Sequence, residues 1–224
     1  MEYLFESDNL PMLKSLRLVS KRITNVESIE KAKFQLTDLE IYAKELHGSS
    51  VRNIIAYGKH LTRLCLNYIE FDHSQLGDLD ELKSLKDLWV CSCKSLDAEL
   101  IGSLHFEQLH WNSDSLRSKN TFIQLISGSP QLKTFVIERG QVYFDLFKLA
   151  STQLEELIEL HIVTCELLVD SAPVVHFKNL TKLVLFHPEL KPSHFKCIGN
   201  ISTLKFLQCT LPMMTMDDFK NICQ

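Results

Sequence analysis

Leu157-Ile158-Glu159-Leu160-His161-Ile162-Val163-Thr164-Cys165-Glu166-Leu167 is the stretch whose reading decides the fold. Apolar residues at its first, fourth and sixth positions, with Cys165 ninth and Leu167 eleventh, satisfy L-x-x-L-x-L-x-x-N/C-x-L throughout. The spacing suits a short strand that turns into a core. Leu160 and Ile162 lie two apart and share one strand face, while Glu159, His161 and Val163 alternate to the other. One such unit cannot bury its apolar face alone, so copies must stack on both sides.

The copies are present. The first-fourth-sixth triplet recurs at Leu13/Leu16/Leu18, Leu36/Leu39/Ile41, Leu61/Leu64/Leu66, Leu85/Leu88/Val90 and Phe106/Leu109/Trp111. It continues at Leu132/Phe135/Ile137, Leu157/Leu160/Ile162, Leu180/Leu183/Leu185 and Leu204/Leu207/Cys209, with starts 21 to 26 residues apart. An apolar residue also falls ten after most starts, at Ile23, Leu46, Phe71, Leu116, Val142, Leu167, Leu190 and Met214. Chance does not hold four positions in register nine times. The expected architecture is an α/β solenoid of about nine repeats. A curved parallel sheet lines its concave side, and short helices and loops its convex side.

Composition narrows the class. The 224 residues are 45% hydrophobic, enough for a continuous core, and no run of 18 uncharged apolar residues could cross a membrane. The start, Met1-Glu2-Tyr3-Leu4-Phe5-Glu6, lacks the basic and apolar regions of a secretion signal. Net charge is −4, so there is no basic footprint for nucleic acid or anionic lipid. The seven cysteines include no C-x-x-C pair, and Cys93, Cys165 and Cys209 fall on core-facing positions. They read as buried thiols in a reducing compartment, cytoplasmic or nuclear. The sequons at Asn179 and Asn200 are accordingly expected to stay unmodified.

Between the strands, polar residues in front and glycines behind mark short helices. Ser49 or Ser50 opens one over 51–57, stopped by Gly58, and Asp97 opens another ending near Gly102. Ser118 precedes the run 122–126, stopped by Gly128 and Pro130, while Pro192-Ser193 precede 195–198 and Gly199. Residues 143–152 and 215–222 are helical by pattern, and 172–175 reads as extended. Leu4 and Phe5 at one end, and 213–222 at the other, are expected to close the core. With no linker or composition shift, 1–224 reads as one domain.

The chain resembles the leucine-rich repeats of the ribonuclease-inhibitor-like superfamily, in the irregular, cysteine-containing style of F-box proteins. The joint Phe122-Ile123-Gln124-Leu125-Ile126-Ser127-Gly128-Ser129-Pro130-Gln131-Leu132-Lys133-Thr134-Phe135 is especially similar to theirs. The resemblance implies a substrate-recognition role in a ubiquitin-ligase adaptor. Two departures qualify it. Twelve residues precede the first strand, too few for the three-helix F-box, which is expected to be absent. The ninth position keeps Cys only at Cys93 and Cys165, with Lys21, Lys44, Ile69, Asp114, Gly140, Pro188 and Pro212 elsewhere.

The period of two locates the functional surface. Third, fifth and seventh positions should face solvent from the concave sheet. Trp89, Tyr42, Phe186 and Arg63 are residue types that anchor protein interfaces. With Asn67, Asp87, His110, Asn112, Glu138 and His161 they form the candidate partner-binding set. Cys65 and Cys91, diagonal across two strands, are expected as free thiols. His161 and Cys165 do not converge as metal ligands, and G-x-S-x-G, H-E-x-x-H, Walker and G-x-G-x-x-G motifs are absent. The expectation is a non-enzymatic module with no cofactor or metal. It binds a protein or peptide, not nucleic acid or membrane; the alternative is a repeat scaffold or sensor of an immune-type receptor.

Overall fold

Nine strands lie parallel in one sheet, each built on one of the nine apolar triplets. In the computed structural model, residues 12–23, 35–46, 53–54, 58–69, 81–93, 105–112, 119–139, 141–143, 145–163, 166–168, 177–186, 198–210, 215, 217 and 220 are described. The strands are β1 (Ser15–Ile23), β2 (Asp38–Leu46), β3 (Arg63–Asn67), β4 (Asp87–Cys91), β5 (Gln108–Asn112) and β6 (Thr134–Glu138). They continue with β8 (Glu159–Val163), β10 (Lys182–Phe186) and β11 (Phe206–Thr210), each beside its predecessor in the repeat order. The short β7 (Gln141–Tyr143) and β9 (Glu166–Leu168) pair in a second parallel sheet, in which Val142 meets Leu167. Two helices are complete, α1 (Lys119–Gly128) and α2 (Asp145–Gln153), packed as neighbours with Ser127 Oγ 2.9 Å from Gln153 Oε1.

The register is the one that the triplets impose. Leu39 meets Leu64, Leu64 meets Leu88, Leu88 meets Leu109, and Phe135 joins Leu109 to Leu160. A one-residue slip would carry every leucine to the solvent face. The backbone adds a second lock. The carbonyl of each second-position residue accepts two N–H groups from the next repeat. Thr37 and Asp38 donate to Lys14, Thr62 and Arg63 to Thr37, and the pattern runs on to Lys205 and Phe206 on Thr181. Thr37, Thr62 and Thr181 add their own hydroxyls to these carbonyls, at 3.3, 3.0 and 3.4 Å.

Burial follows the repeat position. From β2 to β10 the first, fourth and sixth positions are all buried, including Phe106, Trp111 and Phe135. Leu16 and Leu207, expected to be buried with the rest of the ladder, are only partly covered, because their strands bound the sheet. The convex side completes the core with residues three before four of the triplets: Leu82, Leu154, Phe177 and Ile201. The N–H groups of Leu61, Leu85, Leu132, Leu157 and Leu204 each bond to the carbonyl three residues back, so a tight turn feeds each of these strands.

Within the first four repeats the ninth position differs between the long and the short strands. Ile69 and Cys93 are buried there, and the Cys93 thiol donates to Leu66 O at 3.3 Å, so β3 and β4 turn inward after five residues. Lys21 and Lys44 cannot follow them into an apolar turn. β1 and β2 instead continue for nine residues, with Ile23 and Leu46 buried at their ends. Where the chain does turn, Tyr68, Ser92 and Arg139 take left-handed φ of 60°, 53° and 58°. Their N–H groups then reach across to Cys91 O, Asn112 O and Val163 O, extending the pairing by one bond.

The helices expected over 122–126 and 143–152 are present as α1 and α2; the second begins at Asp145, after β7, rather than at 143. Asn53 and Ile54 are helical, as are Ile198, Gly199, Asp217 and Lys220, whereas Thr215 is not; the rest of those expected segments, with 97–102 and 172–175, lie outside the described residues. So do Leu4 and Phe5 and most of 213–222. Gly58 has a steric reason to be glycine. No described glycine has positive φ, but a Cβ at Gly58 would stand 2.5 Å from Ile54 O and 2.6 Å from Leu61 Cδ1.

Candidate functional site

The concave face is lined by the third, fifth and seventh positions, as strand alternation requires. Nine of the ten candidate residues are half-buried on it: Tyr42, Arg63, Asp87, Trp89, His110, Asn112, Glu138, His161 and Phe186. Asn67 is the exception. It is 5% exposed, and its Nδ2 donates to Cys65 Sγ at 3.1 Å instead of facing a partner. Cys65 and Val184, also expected on the open face, are buried too. The reason is height. Cys65 stands between Glu40 and Trp89, Asn67 between Tyr42 and Cys91, and Val184 between His161 and Gln208, where short side chains are overshadowed.

At the centre a chain of polar and aromatic groups crosses five strands. The Arg63 guanidinium bridges the third-position acids of its two neighbours, 3.2 Å from Asp38 and 3.3 Å from Asp87. Asp87 Oδ1 accepts the indole N–H of Trp89 at 2.7 Å. Arg63 also lies over the Trp89 ring at 5.5 Å, a cation–π distance. On the other side the rings of Trp89 and His110 are 4.3 Å apart. His110 Nε2 is 3.4 Å from Glu138 Oε1, and Asn112 Nδ2 donates to Glu138 Oε2. Trp89 therefore has its ring and its N–H both held in place.

Two smaller groups flank it. Towards β1, Tyr42 donates its hydroxyl to Glu40 at 2.6 Å, and Arg17 pairs with Glu40 at 3.6 Å while stacking 4.7 Å above the Tyr42 ring. Towards β10, Glu159 accepts Lys182 at 3.0 Å and approaches His161 at 3.4 Å. Phe206, on the last strand, is the most open concave aromatic at 48% exposure. The sequence reading included its position but not its prominence, since a last strand is covered on one side only.

Proton affinities follow these surroundings. Burial lowers the pKa of His110, against the opposing pull of Glu138. Burial, helped by Lys182, does the same to His161. Both imidazoles are thus neutral at pH 7. Burial raises Asp87, although Trp89 and Arg63 favour its carboxylate. Burial works against the Arg63 charge, but Asp38 and Asp87 outweigh it. The acceptor bond from Glu40 raises the Tyr42 phenol.

Beneath Trp89 lies a thiol cluster. A hydrogen bond from Cys91 lowers Cys65 and correspondingly raises Cys91, while burial pushes Cys93 up to about 12. Cys65, Cys91 and Cys209 are free thiols. Among the described residues no three His, Cys, Asp or Glu side chains converge as metal ligands, and no helix is long and apolar enough to cross a membrane.

Known structures share this fold. The chain is similar to an internalin from Listeria monocytogenes, at 15% identity and TM-score 0.51, over 96% of this chain and 60% of that one. It is also similar to a leucine-rich-repeat protein from Leptospira interrogans, at 15% identity and TM-score 0.53, over 95% of this chain and 59% of that one. The chain thus spans about three fifths of the length of each. At this identity the likeness is one of fold: a leucine-rich-repeat solenoid. No protein-family model and no curated protein sequence matches the chain.

Proposed function

We propose that the chain is a recognition module that holds a protein or peptide partner against its concave face, centred on Trp89. The observation that carries this reading is the line from Asp38 through Arg63, Asp87, Trp89 and His110 to Glu138. Tryptophan and arginine dominate interface hot spots because they bury large areas with few rotatable bonds or make directional hydrogen bonds. Here both are immobilised before a partner arrives, which lowers the entropy lost on binding. Nucleic acid fits poorly, since among the described residues each cation at a third, fifth or seventh strand position is already paired with a carboxylate. The free thiols suit the cytoplasm or nucleus. A narrower form, substrate recognition for an F-box-type ubiquitin ligase, draws on the resemblance of the joint at 122–135. Copurification of ligase core subunits would support it.

The general reading is tested by affinity capture from cells with the wild-type chain and with Trp89→Ala, read by mass spectrometry. A partner retained by the first should be lost from the second, with binding weakened by about 2 kcal/mol or more. The circular dichroism spectrum should stay native, because Trp89 lies opposite the buried ladder of Leu88 and Val90. A partner held equally well by Trp89→Ala and by Arg63→Ala would overturn the reading.

A further inference from the structure

The concave charges do not cancel, and the place where they fail to cancel points to a kind of partner. At the third, fifth and seventh strand positions five carboxylates (Asp38, Glu40, Asp87, Glu138 and Glu159) stand against three cations, Arg17, Arg63 and Lys182. Arg17 is taken by Glu40, Arg63 by both aspartates, and Lys182 by Glu159. Glu138 is left over. Among the described residues its partners are only Asn112 Nδ2 and His110 Nε2, the second at 3.4 Å. Asn112 is neutral, and burial disfavours the charged form of His110. The Glu138 side chain is only 28% exposed, and among the described residues no cation balances it. Its other neighbour is apolar: Val163 lies directly opposite on β8, and Phe186 beyond it on β10, both half-buried.

We propose that Glu138 receives a lysine or arginine side chain from a peptide segment of the partner. The methylenes of that side chain lie along Val163, and an adjacent apolar residue rests on Phe186. Long cationic side chains fit such a place because the stem buries on apolar surface while the head stays at the polar end. The head would complete the set of donors that Asn112 begins. The proposal rests on the concave face being the binding surface and adds the chemistry of what binds there.

A random dodecapeptide phage library panned on the purified full chain tests it, with Glu138→Gln and Trp89→Ala panned in parallel. Wild-type selections should converge on peptides with Lys or Arg next to an aliphatic or aromatic residue. Glu138→Gln should keep the apolar preference and lose the basic one. The best wild-type peptide should bind Glu138→Gln about tenfold more weakly, one charge-assisted hydrogen bond's worth. A conservative amide there leaves Asn112 and Val163 in place, and a native circular dichroism spectrum and unchanged unfolding midpoint verify the fold. Glu138→Lys should reverse the preference towards Asp and Glu. Uncharged or acidic wild-type consensus, or a basic preference that survives Glu138→Gln, overturns this proposal alone. Peptides that bind Trp89→Ala as well as wild type, or no enrichment at all, overturn the concave-face reading and this proposal with it.

Discussion

Trp89 and His110 stand side by side on β4 and β5 with ring centroids 4.3 Å apart and planes tilted by 45°. This is the join between the ionic half of the concave face and the Glu138 half. Paired rings in such geometry couple by about 0.5–1.5 kcal/mol beyond the area they bury. A double-mutant cycle of Trp89→Ala and His110→Ala, measured by urea unfolding, should return a coupling in that range. Strictly additive effects would mean that the two halves are independent surfaces.

The same histidines set a pH dependence. The folded-state pKa values of His110 and His161 lie below the ordinary value, burial being the main cause. Between those values and about 6.5 the unfolded chain binds more protons than the folded one, so stability falls as pH drops through that window. The urea midpoint should be lower at pH 5.5 than at pH 7.5. The drop should shrink when both residues are replaced by glutamine. An equal drop in that double variant would move the cause elsewhere.

Position along the ladder should grade the cost of core truncation. Phe135 is buried between Leu109 and Leu160, and Phe135→Ala should cost about 3–5 kcal/mol. Leu207 meets only Leu183 and is partly exposed, so Leu207→Ala should cost well under half as much. Comparable losses at the two sites in denaturant unfolding would refute the gradient.

Gly58→Ala should destabilise although glycine needs no left-handed backbone there. The new methyl would overlap Ile54 O at 2.5 Å, a backbone atom that cannot rotate away. Forced overpacking of this kind costs about 1–3 kcal/mol. Thermal unfolding of the variant at or above the wild-type midpoint would show that the turn before β3 yields without strain.

Arg139→Gly tests the opposite case. Arg139 is exposed at φ 58°, a conformation that costs an L side chain about 1–2 kcal/mol. Glycine removes that strain but adds freedom to the unfolded chain, so the variant should be neutral or stabilised by up to about 1 kcal/mol. A clear loss of stability would mean that the Arg139 side chain holds the turn.

The sequence by itself determined the strands, their parallel order, their register and which face of each is buried. All four follow from spacing: triplets at 1, 4 and 6 leave only one face apolar, and a near-constant period stacks each on the next. It also placed nine of the ten candidate residues on the concave face. Tertiary structure decided what spacing cannot encode. Asn67 went under because Tyr42 on the neighbouring strand is taller, a comparison between residues 25 positions apart. β1 and β2 ran on for nine residues with Lys21 and Lys44 exposed where Ile69 and Cys93 are buried, and β7 met β9 in a second sheet. Glu138, with no cation beside it among the described residues, is of the same kind. Its isolation is a fact about where Arg17, Arg63 and Lys182 point, and side-chain pairing across strands is settled only when the strands are side by side.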